Sequence, residues 1–130
     1  MMPIQIVQSI ADTRSTCRLQ NRQGKSVGLV PTMGFLHEGH LSLVRQARSD
    51  NDFVVVSVFV NPTQFSPSED FDTYPQNFEQ DQRLLGDEGV DLIFFPSTKE
   101  MYCSSNLTFV EVTGQLTTNL CAISRPHFFR

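Results

Sequence analysis

Two hydrophobic rhythms alternate along this chain. Phe53–Val60 is apolar at every position except Ser57, and most of its residues are β-branched. A run of that kind suits a strand covered on both faces, as in a parallel sheet. Val27–Val30 reads as a buried strand, Asp91–Phe95 as another, and Ile4–Val7 as a short one near the start. Between them the period lengthens. Leu41 and Val44, then Leu43 and Ala47, recur at helical spacing and predict a helix over Gly39–Ser49. Ser9 is placed to cap a helix over Ile10–Asn21, with Asp12 favourable in its first turn. Asn77, with Gln80 three residues on, resembles a capping box opening a helix that runs to about Gly86.

The connections carry their own signals. Gln23-Gly24-Lys25 is a turn, Asn61–Tyr74 is a polar loop containing Pro62 and Pro67, and Thr108–Val112 is a short candidate strand. A loop as long as Asn61–Tyr74 inside a compact domain is usually functional or mobile. Strand–helix–strand–helix–strand order predicts a Rossmann-like α/β domain: a parallel sheet, flanking helices and right-handed crossovers. No internal repeat, low-complexity tract or second domain stands out, so residues 1–130 read as one domain or part of one.

Composition narrows the class. The 130 residues are 39% hydrophobic and 18% charged, ordinary for a soluble protein. No apolar run approaches the ~20 residues that span a bilayer, and the first residues lack a signal-peptide pattern. No membrane partner is therefore expected. The net charge of −4 argues against a nucleic-acid partner but not against ATP, because a nucleotide site is made by local donors. Cys17, Cys103 and Cys121 are odd in number and lack metal-ligand spacing, which reads as reduced thiols in a cytoplasm.

The chemistry concentrates in Pro31-Thr32-Met33-Gly34-Phe35-Leu36-His37-Glu38-Gly39-His40, where an apolar strand should turn into a helix. Backbone N–H groups at a helix start are unpaired, and the dipole there favours an anion. His37 and His40 add hydrogen-bond donors, and Gly39 lets a ligand approach the backbone. Taken alone, the histidine spacing suits a phosphate site, a metal half-site or two surface histidines. Its place at the carboxyl end of a strand is where open α/β sheets bind ligands. Asp81 lies on the apolar stripe of Phe78, Leu84 and Leu85, so it should pair, face a site or reach solvent at the helix end. Asp70, Asp72 and Glu69 read as a solvated acidic loop.

The segment Pro-Thr-Met-Gly-x-Leu-His-x-Gly-His resembles the signature of the pantothenate synthetase (pantoate–β-alanine ligase) family, a form of the His-x-Gly-His element of nucleotidyl-transferring enzymes. Phe59-Val60-Asn61-Pro62-Thr63-Gln64-Phe65 and Glu69-Asp70-Phe71-Asp72-Thr73-Tyr74-Pro75 resemble its second and third motifs. Gly89-Val90-Asp91-Leu92, Pro96, Met101-Tyr102 and Phe109-Val110-Glu111-Val112 follow in family order.

The resemblance implies a reaction in which ATP adenylates (R)-pantoate and β-alanine then displaces AMP. It makes His40 and His37 catalytic and assigns ATP to Met33, Gly34, Phe35, Leu36, His37, Glu38, Gly39 and His40. It assigns pantoate and β-alanine to Gln64 and Asn61, makes Asp81 a Mg²⁺-associated carboxylate, and implies a homodimer. A purely structural role, with His37 capping the helix and His40 packed, is the competing reading of the pair; for Asn61-Pro62 it is a turn.

The resemblance has gaps. Gln76 stands where the family commonly has arginine, and Ser124-Arg125-Pro126-His127-Phe128 departs from its Ser-Arg-Pro-Gly-His-Phe. The family's Gly-x-Lys-Asp-x-Gln-Gln and Ser-Ser-Arg-Asn elements would lie beyond Arg130. The expectation is an N-terminal part of the enzyme, with weak or no turnover alone. The alternatives are another His-x-Gly-His nucleotidyltransferase and a folded, non-catalytic dimerising module.

Overall fold

Ser9 begins the first helix as its composition requires. Its hydroxyl accepts the Asp12 N–H at 3.1 Å, and helix α1 runs over Ile10–Arg22. It follows strand β1, Gln5–Val7. Strand β2 is Val27–Thr32, helix α2 Glu38–Asp50 and strand β3 Phe53–Val58. Helix α3 is Phe78–Asp87, strand β4 Leu92–Phe94 and the short helix α4 Thr98–Met101. The computed structural model describes residues 3–65, 71–102, 108, 110–119, 123 and 125.

The strands form one four-stranded sheet in the order β1-β4-β3-β2, with every pairing parallel. The expected α/β architecture stands. Alternation along β3 divides the core. Val54, Val56 and Val58 pack with Val44 of α2 and Leu85 of α3 on one face. Val55 joins Val7 and Leu92 on the other face, with Cys17 of α1 against them. The starts of α1, α2, α3 and α4 carry side-chain caps, from Ser9, His37, Asn77 and Ser97.

Some boundaries move. Strand β2 continues past Val30 through Pro31 and Thr32, because β3 offers a partner at each position up to Val58. Strand β3 stops at Val58 and not at Val60. The loop after it is not wholly irregular: Pro62–Gln64 and Phe71–Thr73 are 3-10 turns. Helix α4 was not anticipated, although Ser97 with Glu100 three residues on is a capping pattern, and the Glu100 N–H donates to the Ser97 hydroxyl at 3.2 Å.

The candidate strand at Thr108–Val112 is overturned. Thr108 and Val110–Val112 are not in a strand, and Val110 is 83% exposed. Alternation makes a strand only where a neighbouring backbone supplies a ladder, and none does among the described residues. Phe109, Cys103, Cys121, Glu69, Asp70, Ser124 and the 126–130 segment lie outside the described residues.

Candidate active site

The loop between β2 and α2 stands at the carboxyl end of the sheet, and most of its backbone donors are already taken. The Gly34 N–H donates to the Thr32 hydroxyl at 3.2 Å, and that hydroxyl donates to the Ser57 carbonyl at 2.8 Å. The Phe35 and Leu36 N–H groups donate to Asp81 Oδ2 and Oδ1, at 2.9 and 2.8 Å. The His37 N–H donates to His40 Nδ1 at 3.3 Å, and the Gly39 N–H to His37 Nδ1 at 3.1 Å. The expectation of open backbone N–H groups for phosphate is therefore narrowed: side chains take five of them, and the Glu38 N–H keeps no partner among the described residues.

The loop also offers ring donors. An imidazole nitrogen that accepts a hydrogen bond carries no proton, so each neutral ring holds its proton on Nε2. The two rings lie 4.1 Å apart between centroids, tilted by 45°. Burial, and secondarily the neighbouring His37, push the His40 pKa below its ordinary value; Asp81 acts weakly the other way. His40 is thus a neutral donor near pH 7. The helix dipole favours an anion at the same end.

Gly39 has a packing role that the sequence did not show. A Cβ there would stand 2.9 Å from His37 Cε1 and 3.1 Å from Nδ1. The missing side chain makes room for the capping imidazole. Gly34 has φ +81, and its Cβ would stand 3.0 Å from both Asp81 Oδ2 and Val58 Cγ1. Gly34 is buried, and the Leu36 side chain belongs to the core. Their side of the loop faces inward. Phe35 and His37 are exposed, His40 and Met33 half-buried. Glu38, also exposed, pairs with Arg45.

Asp81 is the sole buried charged group among the described residues, 2% exposed. It neither reaches solvent nor stands in a metal-ligand cluster: among the described residues no three His, Cys, Asp or Glu gather. It lines a cavity of about 180 Å³ with Met33, Gly34, Phe71, Gln76 and Asn77. That volume lies below the ~300–1,000 Å³ of sites for drug-sized ligands. A larger apolar cavity, about 630 Å³, lies on the opposite face of the sheet beside α1, and none of the expected site residues lines it.

Asn61 and Gln64 follow β3, beside the loop that follows β2. Asn61 Oδ1 accepts the Thr63 N–H, the Thr63 hydroxyl and the Tyr102 hydroxyl at 3.1, 2.9 and 2.8 Å. The turn reading of Asn61 is therefore present in the structure. Half-buried Gln64 makes no side-chain hydrogen bond among the described residues. Phe65 gathers Phe71 and Tyr74 edge-on, with the Arg125 guanidinium 5.8 Å over its ring. Tyr102 and Thr32 received no role from sequence. A threonine at a strand end and a Met-Tyr pair in family order were the available signals.

A parallel sheet whose strand–loop–helix turn carries a His-x-Gly-His pair defines an α/β protein of the nucleotidyltransferase type. The profile of the pantoate–beta-alanine ligase family matches residues 5–130, and the chain belongs to that family. It is similar to the pantothenate synthetase of Acetivibrio thermocellus, 51% identical over 127 residues that cover 98% of this chain and 45% of the relative. The pantothenate synthetase of Thermotoga petrophila is 52% identical over 127 residues, with coverage of 98% and 45%.

Among solved structures, pantothenate synthetase from Thermus thermophilus superposes with a TM-score of 0.87 at 46% identity, covering 97% of this chain and 44% of the other. Pantoate–beta-alanine ligase from Francisella tularensis, complexed with beta-gamma ATP and beta-alanine, gives 0.85 at 41% identity, covering 97% and 48%. This chain spans somewhat less than half the length of these relatives.

Proposed function

We propose that this chain carries the His-x-Gly-His part of a pantoate–β-alanine ligase site. ATP adenylates the carboxylate of (R)-pantoate, pyrophosphate leaves, and the amine of β-alanine then displaces AMP to give pantothenate, a coenzyme A precursor. The supporting observation is the pair of imidazoles whose Nδ1 atoms are both spent on backbone N–H groups. Each ring is left with one oriented Nε2–H at the positive end of α2. Negative charge grows on the transferring phosphoryl group during adenylation. A preplaced donor aimed at such charge is worth ~3–4 kcal/mol.

The segment Met33–His40 holds ATP, with Phe35, His37 and His40 presenting side chains and the buried members shaping the loop. Gln64 and Asn61 recognise pantoate and β-alanine through side-chain amides. Mg²⁺ would accompany the ATP phosphates. Asp81 fits as its nearby carboxylate, since each oxygen accepts a single N–H and keeps lone-pair capacity. Phosphate and water would complete the shell, and the ion would offset phosphate charge. The protein works in the cytoplasm as a homodimer. The edge position of β2 and the 63% exposure of Leu29 on it support self-association. Light scattering that shows a strict monomer would remove that part.

The test joins this chain to the remaining C-terminal part of a relative and measures pyrophosphate release with ATP and (R)-pantoate. His40→Ala should lower the rate about 10²–10³-fold and leave pantoate affinity within a few-fold. A variant within threefold of the parent overturns the assignment. The 130 residues alone should turn over far more slowly, because water screens donors in an open site.

A further inference from the structure

We propose that Tyr102 is a positioning residue that holds the side-chain amide of Asn61 in place, so that its N–H donors face the substrate. The proposal rests on the assignment of Asn61 to pantoate given above. Tyr102 ends α4, 41 residues after Asn61, and its N–H donates to the Thr98 carbonyl at 2.8 Å. Its ring lies against Phe59, with centroids 6.2 Å apart, so the hydroxyl is carried on a packed side chain. That hydroxyl donates to Asn61 Oδ1 at 2.8 Å and stands 3.3 Å from the Thr63 hydroxyl.

A carbonyl oxygen has two lone pairs, and Asn61 Oδ1 already serves three donors. A flipped amide would set an N–H against the Thr63 backbone N–H, which can only donate, whereas the two hydroxyls can accept as well as donate. Thr63 therefore fixes which end faces out, Tyr102 fixes where the side chain stands, and Nδ2, which has no partner among the described residues, is the end left to meet a ligand. Two N–H donors at one nitrogen match oxygen acceptors, a carboxylate or a hydroxyl. They mismatch a ligand that presents its own N–H there. The two Thr63 contacts are local and turn with the loop. The Tyr102 contact alone ties the amide to a distant element, so it sets the orientation relative to the sheet.

Tyr102→Phe keeps the ring and removes only the hydroxyl. Two measurements test the proposal, the first on the 130-residue chain and the second on the chain completed by a relative's C-terminal part. The first needs no ligand: NMR relaxation of the Asn61 side-chain amide. The Asn61 amide should be rigid in the parent and markedly more mobile in Tyr102→Phe, with the melting temperature little changed. An amide equally ordered in both overturns the proposal. The second is titration with (R)-pantoate and with its carboxamide. The parent should prefer the acid. Tyr102→Phe should bind the acid about three- to tenfold more weakly, the scale of one neutral hydrogen bond. Its preference over the carboxamide should narrow, while ATP affinity stays the same.

A fold-wide structural effect would lower affinity for acid, carboxamide and ATP together and would also overturn the proposal. A parent that binds neither acid nor carboxamide, with the amide ordering still dependent on Tyr102, instead rejects the pantoate assignment. Should Tyr102→Phe unfold, Thr63→Val removes the local hydroxyl, keeps the Tyr102 contact and should leave the amide ordered. An amide set free there overturns the proposal.

Discussion

The Asp81 carboxylate holds the backbone N–H of Phe35 at 2.9 Å across 46 residues of sequence. Phe35 has φ +52, the left-handed conformation that side chains other than glycine resist. Backbone strain of that sort costs about 1–3 kcal/mol and persists only where surroundings enforce it. Here the enforcing group comes from α3. The shape of the loop that carries the histidines is thus set by a helix elsewhere in the chain.

Asp81→Ala should therefore destabilise the chain by about 3 kcal/mol or more. It strands one buried and one part-buried N–H group and removes two charge-assisted bonds. Asp81→Asn keeps the size but points an NH₂ at one of the N–H donors, and about 2 kcal/mol should still be lost. Urea unfolding measures both. A loss below about 0.5 kcal/mol in either variant contradicts the clamp.

Gly39→Ala separates folding from the site. Alanine gains up to ~1 kcal/mol in helix propensity. The new Cβ displaces the His37 ring, and a lost N-cap costs ~1 kcal/mol. These terms nearly cancel, so stability should change by less than about 1 kcal/mol. The His37 ring should nevertheless leave its place, seen as a changed imidazole ¹⁵N pattern by NMR, and ATP binding should weaken. A ring still fixed by the Gly39 N–H would show that the contact does not limit it.

Stability should fall on acidification partly through His40. Its folded pKa lies below the unfolded value of about 6.5, so the unfolded chain binds more protons in the interval between them. The penalty is absent above about pH 6.5, grows as pH falls and is complete below the folded pKa. Protonation also places a hydrogen on Nδ1, opposite the His37 N–H. Unfolding of the parent and of His40→Gln from pH 8 to 5 checks this. The parent should lose stability relative to the variant; a constant difference contradicts it.

Gln64→Ala, in the chain completed by a relative's C-terminal part, should raise the KM for pantoate, or lower kcat if the contact strengthens in the transition state. Its amide is half-buried and without a side-chain partner among the described residues, as a group awaiting a ligand would be. Unchanged pantoate kinetics with a raised KM for ATP would reverse the assignment.

The sequence by itself determined the architecture. Apolar runs at β2, β3 and β4, β-branched in β3, helical spacing in α2, and side chains able to cap at Ser9 and Asn77 are local properties, and local chemistry is enough to place elements. It also located the histidine loop at a strand's carboxyl end. It did not determine which atoms of that loop are free. Both histidines are at once structural and candidate catalytic groups: the cap uses Nδ1 and leaves Nε2. The competing readings were compatible once the rings had orientations. Nor did pattern show that Asp81 would turn inward to the loop, or that Tyr102 would meet Asn61. Those contacts join residues 46 and 41 positions apart. The same logic removed the strand at Thr108–Val112. A strand, a clamp and an oriented amide each need a partner from elsewhere in the chain, and only packing decides which backbone or side chain arrives.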